Sequence, residues 1–171
     1  MILQYFKKKE NKEQIIAREQ YKKILAEGKT FLNENNFFKT KDYKTSFEIV
    51  SIFLIMNIRR NLLEANRTLF IKVNEKLISL FIADLDESLR QKGIGDMSIG
   101  KYVKSYVKKF YYRLKKFPQE NYFYKNETFI EYLKLTDLIK NDDYLHVSRI
   151  FNDKFNDFLS YDNLHRDNLK N

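Results

Sequence analysis

Three of the four glycines in this chain fall within eight residues, Gly93 to Gly100, and apolar residues at helical spacing run on either side. Glycine commonly ends a helix in the left-handed conformation, so such a cluster between two periodic stripes reads as a helix–turn–helix corner. The stripe before it, Phe70, Val73, Leu77, Phe81, Leu85 and Leu89, steps by three or four throughout. The stripe after it, Val103, Val107, Phe110, Leu114 and Phe117, stops at Pro118, the one proline in the chain. So few turn residues cannot punctuate a many-stranded β protein, and no segment alternates with period two. The expectation is an all-α fold of about six helices.

The rest of the chain divides around that corner. A first helix is expected over about Gln4 to Glu27, with Ala17, Tyr21, Ile24 and Leu25 on one side and Gly28 as its C-cap. Asn33 to Lys44 is rich in Asn and Lys and reads as a loop whose Phe37 and Phe38 tuck into the core. Thr45 or Ser46 can cap a second helix to about Leu63, and Ile49, Val50, Ile52, Phe53, Leu54, Ile55, Met56 and Ile58 make it almost wholly apolar. Such a helix belongs at the centre, between the third, fourth and sixth. The apolar run Phe47 to Ile58 is well short of the ~20 residues a bilayer span needs. Asn66 or Thr68 starts the third helix, Gly93 ends it in the left-handed region, and Asp96 or Ser98 caps the fourth. After Tyr122, Phe123 and Tyr124, a fifth helix is expected from about Thr128 to Lys140. Asn141-Asp142-Asp143 then introduces a sixth, reaching about Tyr161.

At 171 residues the chain suits a single domain over residues 1–171, with 1–10 and 162–171 frayed. Hydrophobic residues at 43% are too many for a disordered chain, and the absence of cysteine excludes disulfides, thiolate metal sites and Cys nucleophiles. Nothing at the N-terminus has the order of a secretory signal, because Lys7-Lys8-Lys9 follows the short apolar run Met1 to Phe6 instead of preceding it. That run, with Ile2, Leu3, Tyr5 and Phe6, has the makings of a short anchor on an anionic membrane, although a terminus packing a few apolar residues is the plainer reading.

A net charge of +9 favours partners that carry negative charge: RNA, ribosome surface or an anionic membrane face. Much of it lies on the fourth helix, where Lys101, Lys104, Lys108, Lys109, Arg113, Lys115 and Lys116 are interleaved with Tyr102, Tyr106, Tyr111 and Tyr112. One reading is therefore an RNA- or ribosome-associated basic helical module. Gly95 to Lys101 has the glycine and lysine spacing of a phosphate-binding P-loop. Tyr102 stands where Ser or Thr must reach magnesium, however, and a helical pattern precedes it where a strand is required. Asp84, Asp86 and Glu87 diverge around a helix and do not form a metal cluster. Asp84 borders the apolar stripe and so needs a partner, expected to be a Lys or Arg of the basic helix. His146 and His165 have no nucleophile or carboxylate arranged around them, so no catalytic relay is expected.

The strongest pattern is composite: Asp84-Leu-Asp86, Ser88-Leu89-Arg90, Gly93-Ile-Gly95-Asp96, Gly100-Lys101 and Phe110-Tyr111-Tyr112-Arg113. Together these resemble the signature of the ubiquinol–cytochrome c chaperone family. Asp42 and Thr45 are similar to an Asp–Thr pair that the family carries before its second helix, with Ser46 in place of a basic residue. Tyr112 stands where the family has glycine. The resemblance implies a non-enzymatic, cofactor-free assembly chaperone that binds nascent or unassembled cytochrome b while ubiquinol–cytochrome c reductase is built. It further implies contact with the ribosome surface, a second assembly factor and an anionic membrane, but not DNA. The implied location is the cytoplasmic, inner face of a bacterial inner membrane, or the matrix side in a mitochondrion. The residues it marks as motif or client-binding are Asp84, Asp86, Leu89, Arg90, Gly93, Gly95, Asp96, Gly100, Lys101, Phe110, Tyr111 and Arg113.

Overall fold

The computed structural model describes residues 11–118 and 127–166, with side chains as far as Asp157. The expected anchor at 2–6, the frayed 1–10 and the aromatic run 122–124 lie outside the described residues. Six helices follow one another: α1 Lys12–Glu34, α2 Tyr43–Leu62, α3 Arg67–Gln91, α4 Asp96–Lys116, α5 Glu127–Thr136 and α6 Tyr144–Arg166. Among the described residues there is no strand, only an isolated antiparallel bridge between Phe38 and Ile139.

Local chemistry sets most of the helix starts. The Asn11 side chain accepts from the Gln14 amide, Asp42 from the Thr45 amide and Asn66 from the Leu69 amide, each satisfying one orphan N–H of a first turn. The α2 cap is thus Asp42, three residues before the expected Thr45, and Thr45 also donates its hydroxyl to Asp42 at 3.1 Å. The Thr45 N–H, foremost, holds the Asp42 carboxyl below its usual range. Gly28 does not end α1. The helix runs through it to Glu34, and a Cβ at Gly28 would meet Val50 at 3.6 Å and Ile49 at 3.7 Å. These are ordinary contact distances, so α1 packs on α2 here with room for a methyl group. The α5 helix stops at Thr136, four residues earlier than expected, because Asp137 turns into the left-handed region at φ 55°.

Packing puts α1 against both α2 and α3, α3 against α4, and α5 against α6, while α2 also touches α3, α4 and α6. The expectation for α2 omitted α1, its most extensive neighbour. Phe53 and Ile55 are completely buried, as a central helix requires. The expectation of an almost wholly apolar helix is corrected: Glu48, Ser51, Asn57, Arg60 and Asn61 are buried in it as well. No described helix is long and apolar enough to cross a membrane.

Those buried amides explain how α2 is held. Asn61 donates to Gln20 of α1 at 2.9 Å and to Asn74 of α3 at 2.7 Å, and Asn57 donates to the same Gln20 oxygen at 3.0 Å. A satisfied polar network of this kind specifies which helices meet and in what register. Around it lie two aromatic groups. Phe47, Phe81, Phe110 and Tyr106 join α2, α3 and α4, with Phe81 and Phe110 ring centres 4.9 Å apart. Phe31, Phe53, Phe129 and Phe151 join α1, α2, α5 and α6, with Phe31 and Phe151 at 4.8 Å.

Candidate functional site

The corner between α3 and α4 is built by its backbone. The Gly93 amide donates to the Arg90 carbonyl at 2.8 Å and the Ile94 amide to the Leu89 carbonyl at 3.2 Å, the paired bonds of a Schellman turn. Gly93 has φ 83°, as the turn demands and as expected. The fourth helix begins differently from its expectation: Gly95 is the N-cap, no side chain caps it, and Asp96 is the first helical residue.

Asp96 is engaged elsewhere. Arg90 Nη1 donates to Asp96 across the corner, while Arg90 Nε donates to Asp86 at 2.6 Å one turn back along α3. Three residues of the motif thus form one clamp on the outside of the turn. The bonds from Asp86 and then Asp96 hold the Arg90 guanidinium above its ordinary range. Beside the clamp lie Gly95 and Gly100, where an added Cβ would meet nothing, and exposed Met97 and Lys101. The P-loop spacing is realised here as the first turn of a helix preceded by a helix, which offers no phosphate-cradling loop. Asp86 faces Arg90, Glu87 accepts from Gln91 at 2.9 Å, and Asp84 faces away from both. No group of acidic or histidine residues suited to a metal occurs among the described residues.

Asp84 does not pair with the basic helix. It accepts from the Tyr21 hydroxyl of α1 at 2.9 Å. Burial, then the Asp84 charge, raises the Tyr21 phenol well above its normal range. The buried carboxylate that meets α4 is Glu48, which sequence reasoning passed over. Arg113 grips it with both arms of the guanidinium, Nε at 3.0 Å and Nη2 at 2.9 Å, and Lys109 adds a contact at 2.6 Å. Arg113 also donates to the Leu135 carbonyl in the last turn of α5 at 2.9 Å. The signal was available: a single Glu inside an apolar helix has to find a cation.

The motif therefore divides into two sets. Leu89, Phe110 and Arg113 are buried and, with Gly93 in the turn, build the fold. Asp84, Asp86, Arg90, Gly95, Asp96, Gly100, Lys101 and Tyr111 lie at or near the surface, Asp84 half-buried against Tyr21. Arg113 is roughly 25 Å along α4 from Asp96, so the structure does not gather all twelve residues into one site.

A family model described as Ubiquinol-cytochrome C chaperone matches residues 39–125, just over half of the chain. The chain belongs to the ubiquinol-cytochrome C chaperone family. Neither a curated protein nor a solved structure gives a match. The matched segment holds α2, α3 and α4, with both the Arg90 clamp and the Glu48–Arg113 pair inside it. Tyr112, where the resemblance implies glycine, is half-exposed with Lys116 over its ring.

Proposed function

We propose that this protein is a non-catalytic assembly chaperone that holds nascent or unassembled cytochrome b while ubiquinol–cytochrome c reductase is built. Family membership is the observation that carries the reading. It is supported by the way the motif divides, since half of the signature is not needed to fill the core and stands at the α3–α4 corner. Gly95 and Gly100 leave backbone open there, next to the exposed Met97 side chain, a soft and adaptable apolar contact. We place the protein at the inner face of a bacterial inner membrane or on the matrix side of a mitochondrial one, where cytochrome b emerges. A holdase of this kind needs no nucleotide. The RNA-module reading is weakened because Lys109 and Arg113, two of its seven cations, are committed to Glu48.

The test is a deletion strain complemented with the parent or with Asp96→Ala/Lys101→Ala. Deletion is expected to lower the cytochrome b haem signal and the assembled reductase, and the double variant to reproduce that loss. Both side chains are exposed, and an ion pair as open to water as Arg90–Asp96 contributes little to stability, so the variant should stay folded. Normal cytochrome b in the deletion strain, or a double variant that fails only through unfolding, overturns the proposal.

A further inference from the structure

The outward face of α4 carries Lys101, Lys104, Lys108 and Lys115 within an arc of about 60° and along roughly 20 Å of the helix. All four are exposed, and the one acidic residue of the helix, Asp96, is bonded to Arg90 at the far end. Removing Lys109 and Arg113 from the basic set sharpens the remaining charge into a row, because those two point inward to Glu48. Tyr111 and Tyr112 flank the row, both about half exposed at 48% and 47%, and Met97 continues it on the same arc at the start of the helix.

We infer that this face docks the protein on an anionic bilayer surface. A straight row of ammonium groups on a rigid helix matches a plane of lipid phosphates, and tyrosine rings sit well at the headgroup level, apolar at the body and polar at the tip. Recognition of RNA bases needs free ring faces. Here Lys116 lies over Tyr112 at 5.9 Å and the Tyr111 ring packs edge-to-face on Phe110 at 5.6 Å. The docked face lies on the solvent side of α4, opposite its buried residues Ile99, Phe110 and Arg113, so the core is undisturbed on binding.

The test measures sedimentation of the full chain with vesicles of equal parts phosphatidylcholine and phosphatidylglycerol, and with pure phosphatidylcholine. The parent should bind the first and not the second, with binding weakened by added salt. Each lysine near an anionic surface strengthens binding roughly fivefold, so Lys104→Gln/Lys108→Gln/Lys115→Gln should lose on the order of a hundredfold. Lys12→Gln/Lys22→Gln/Lys29→Gln on α1 removes the same charge from exposed positions elsewhere and should change binding little. Melting curves confirm that both variants are folded. The inference is overturned if the parent ignores the anionic vesicles or if the α1 variant loses as much as the α4 variant. It is equally overturned if single-stranded RNA binds the parent more tightly than the vesicles do and depends on the same α4 lysines.

Discussion

Glu48 occupies a turn of helix whose neighbours are Phe47 and Ile49, with no exposure to solvent at all. A carboxylate there persists because Arg113 supplies a planar fork that lysine cannot imitate. Glu48→Leu should therefore destabilise the protein by ~3 kcal/mol or more, since it strands the Arg113 charge in the core. Glu48→Leu/Arg113→Leu should recover most of that loss, because two apolar side chains replace the pair and Lys109, a third exposed, can turn to water. Urea unfolding of the three proteins decides it; a single variant as stable as the parent contradicts the role given to the pair. At this scale the sequence was partly legible. The special backbone of Gly93 followed from its place between two stripes, whereas the partner of Asp84 did not. Periodicity tells which side of a helix is inward, but not whether Tyr21 or a lysine lies across from it.

Among the helices, two glycines make opposite predictions. At Gly93, φ 83° strains any side chain, so Gly93→Ala should cost about 1 kcal/mol. At Gly28 the backbone is helical and the nearest atoms stand at ordinary contact distance, so Gly28→Ala should stabilise by up to ~1 kcal/mol through helix propensity. Thermal melts that shift the same way for both would refute one of the two assignments. The α3 helix was the most legible, since Val73, Leu77, Phe81, Leu85 and Leu89 are all buried as their spacing requires. The far end of α1 was not, because a capping glycine and a packing glycine look alike until the neighbouring α2 is known. The polar residues of α2 were missed for a related reason: their partners, Gln20, Asn74 and Arg113, lie on three other helices.

Taken as a whole, the molecule carries an alkaline limit. Burial raises the phenols of Tyr21 and Tyr132 far above their normal range and pushes Tyr43 up to about 12. A group whose folded pKa is raised contributes stability that is complete below its unfolded value and is lost as pH rises toward the folded value. The melting temperature should thus hold to about pH 10 and then fall. Tyr21→Phe should begin less stable, having lost the bond to Asp84, and decline less steeply. Equal slopes for parent and variant would remove Tyr21 from the explanation. The bridge between Phe38 and Ile139 has a topological consequence. The Lys39 amide bonds to Leu138 and the Lys140 amide to Phe37, both at 2.8 Å, so the chain is closed into a ring that contains the whole family segment. The entropy of closing so long a ring grows only with the logarithm of its length, ~0.6 kcal/mol for each doubling. An insertion in a connection inside the ring should therefore add little to the entropy of closing it. The clasp itself has no such latitude.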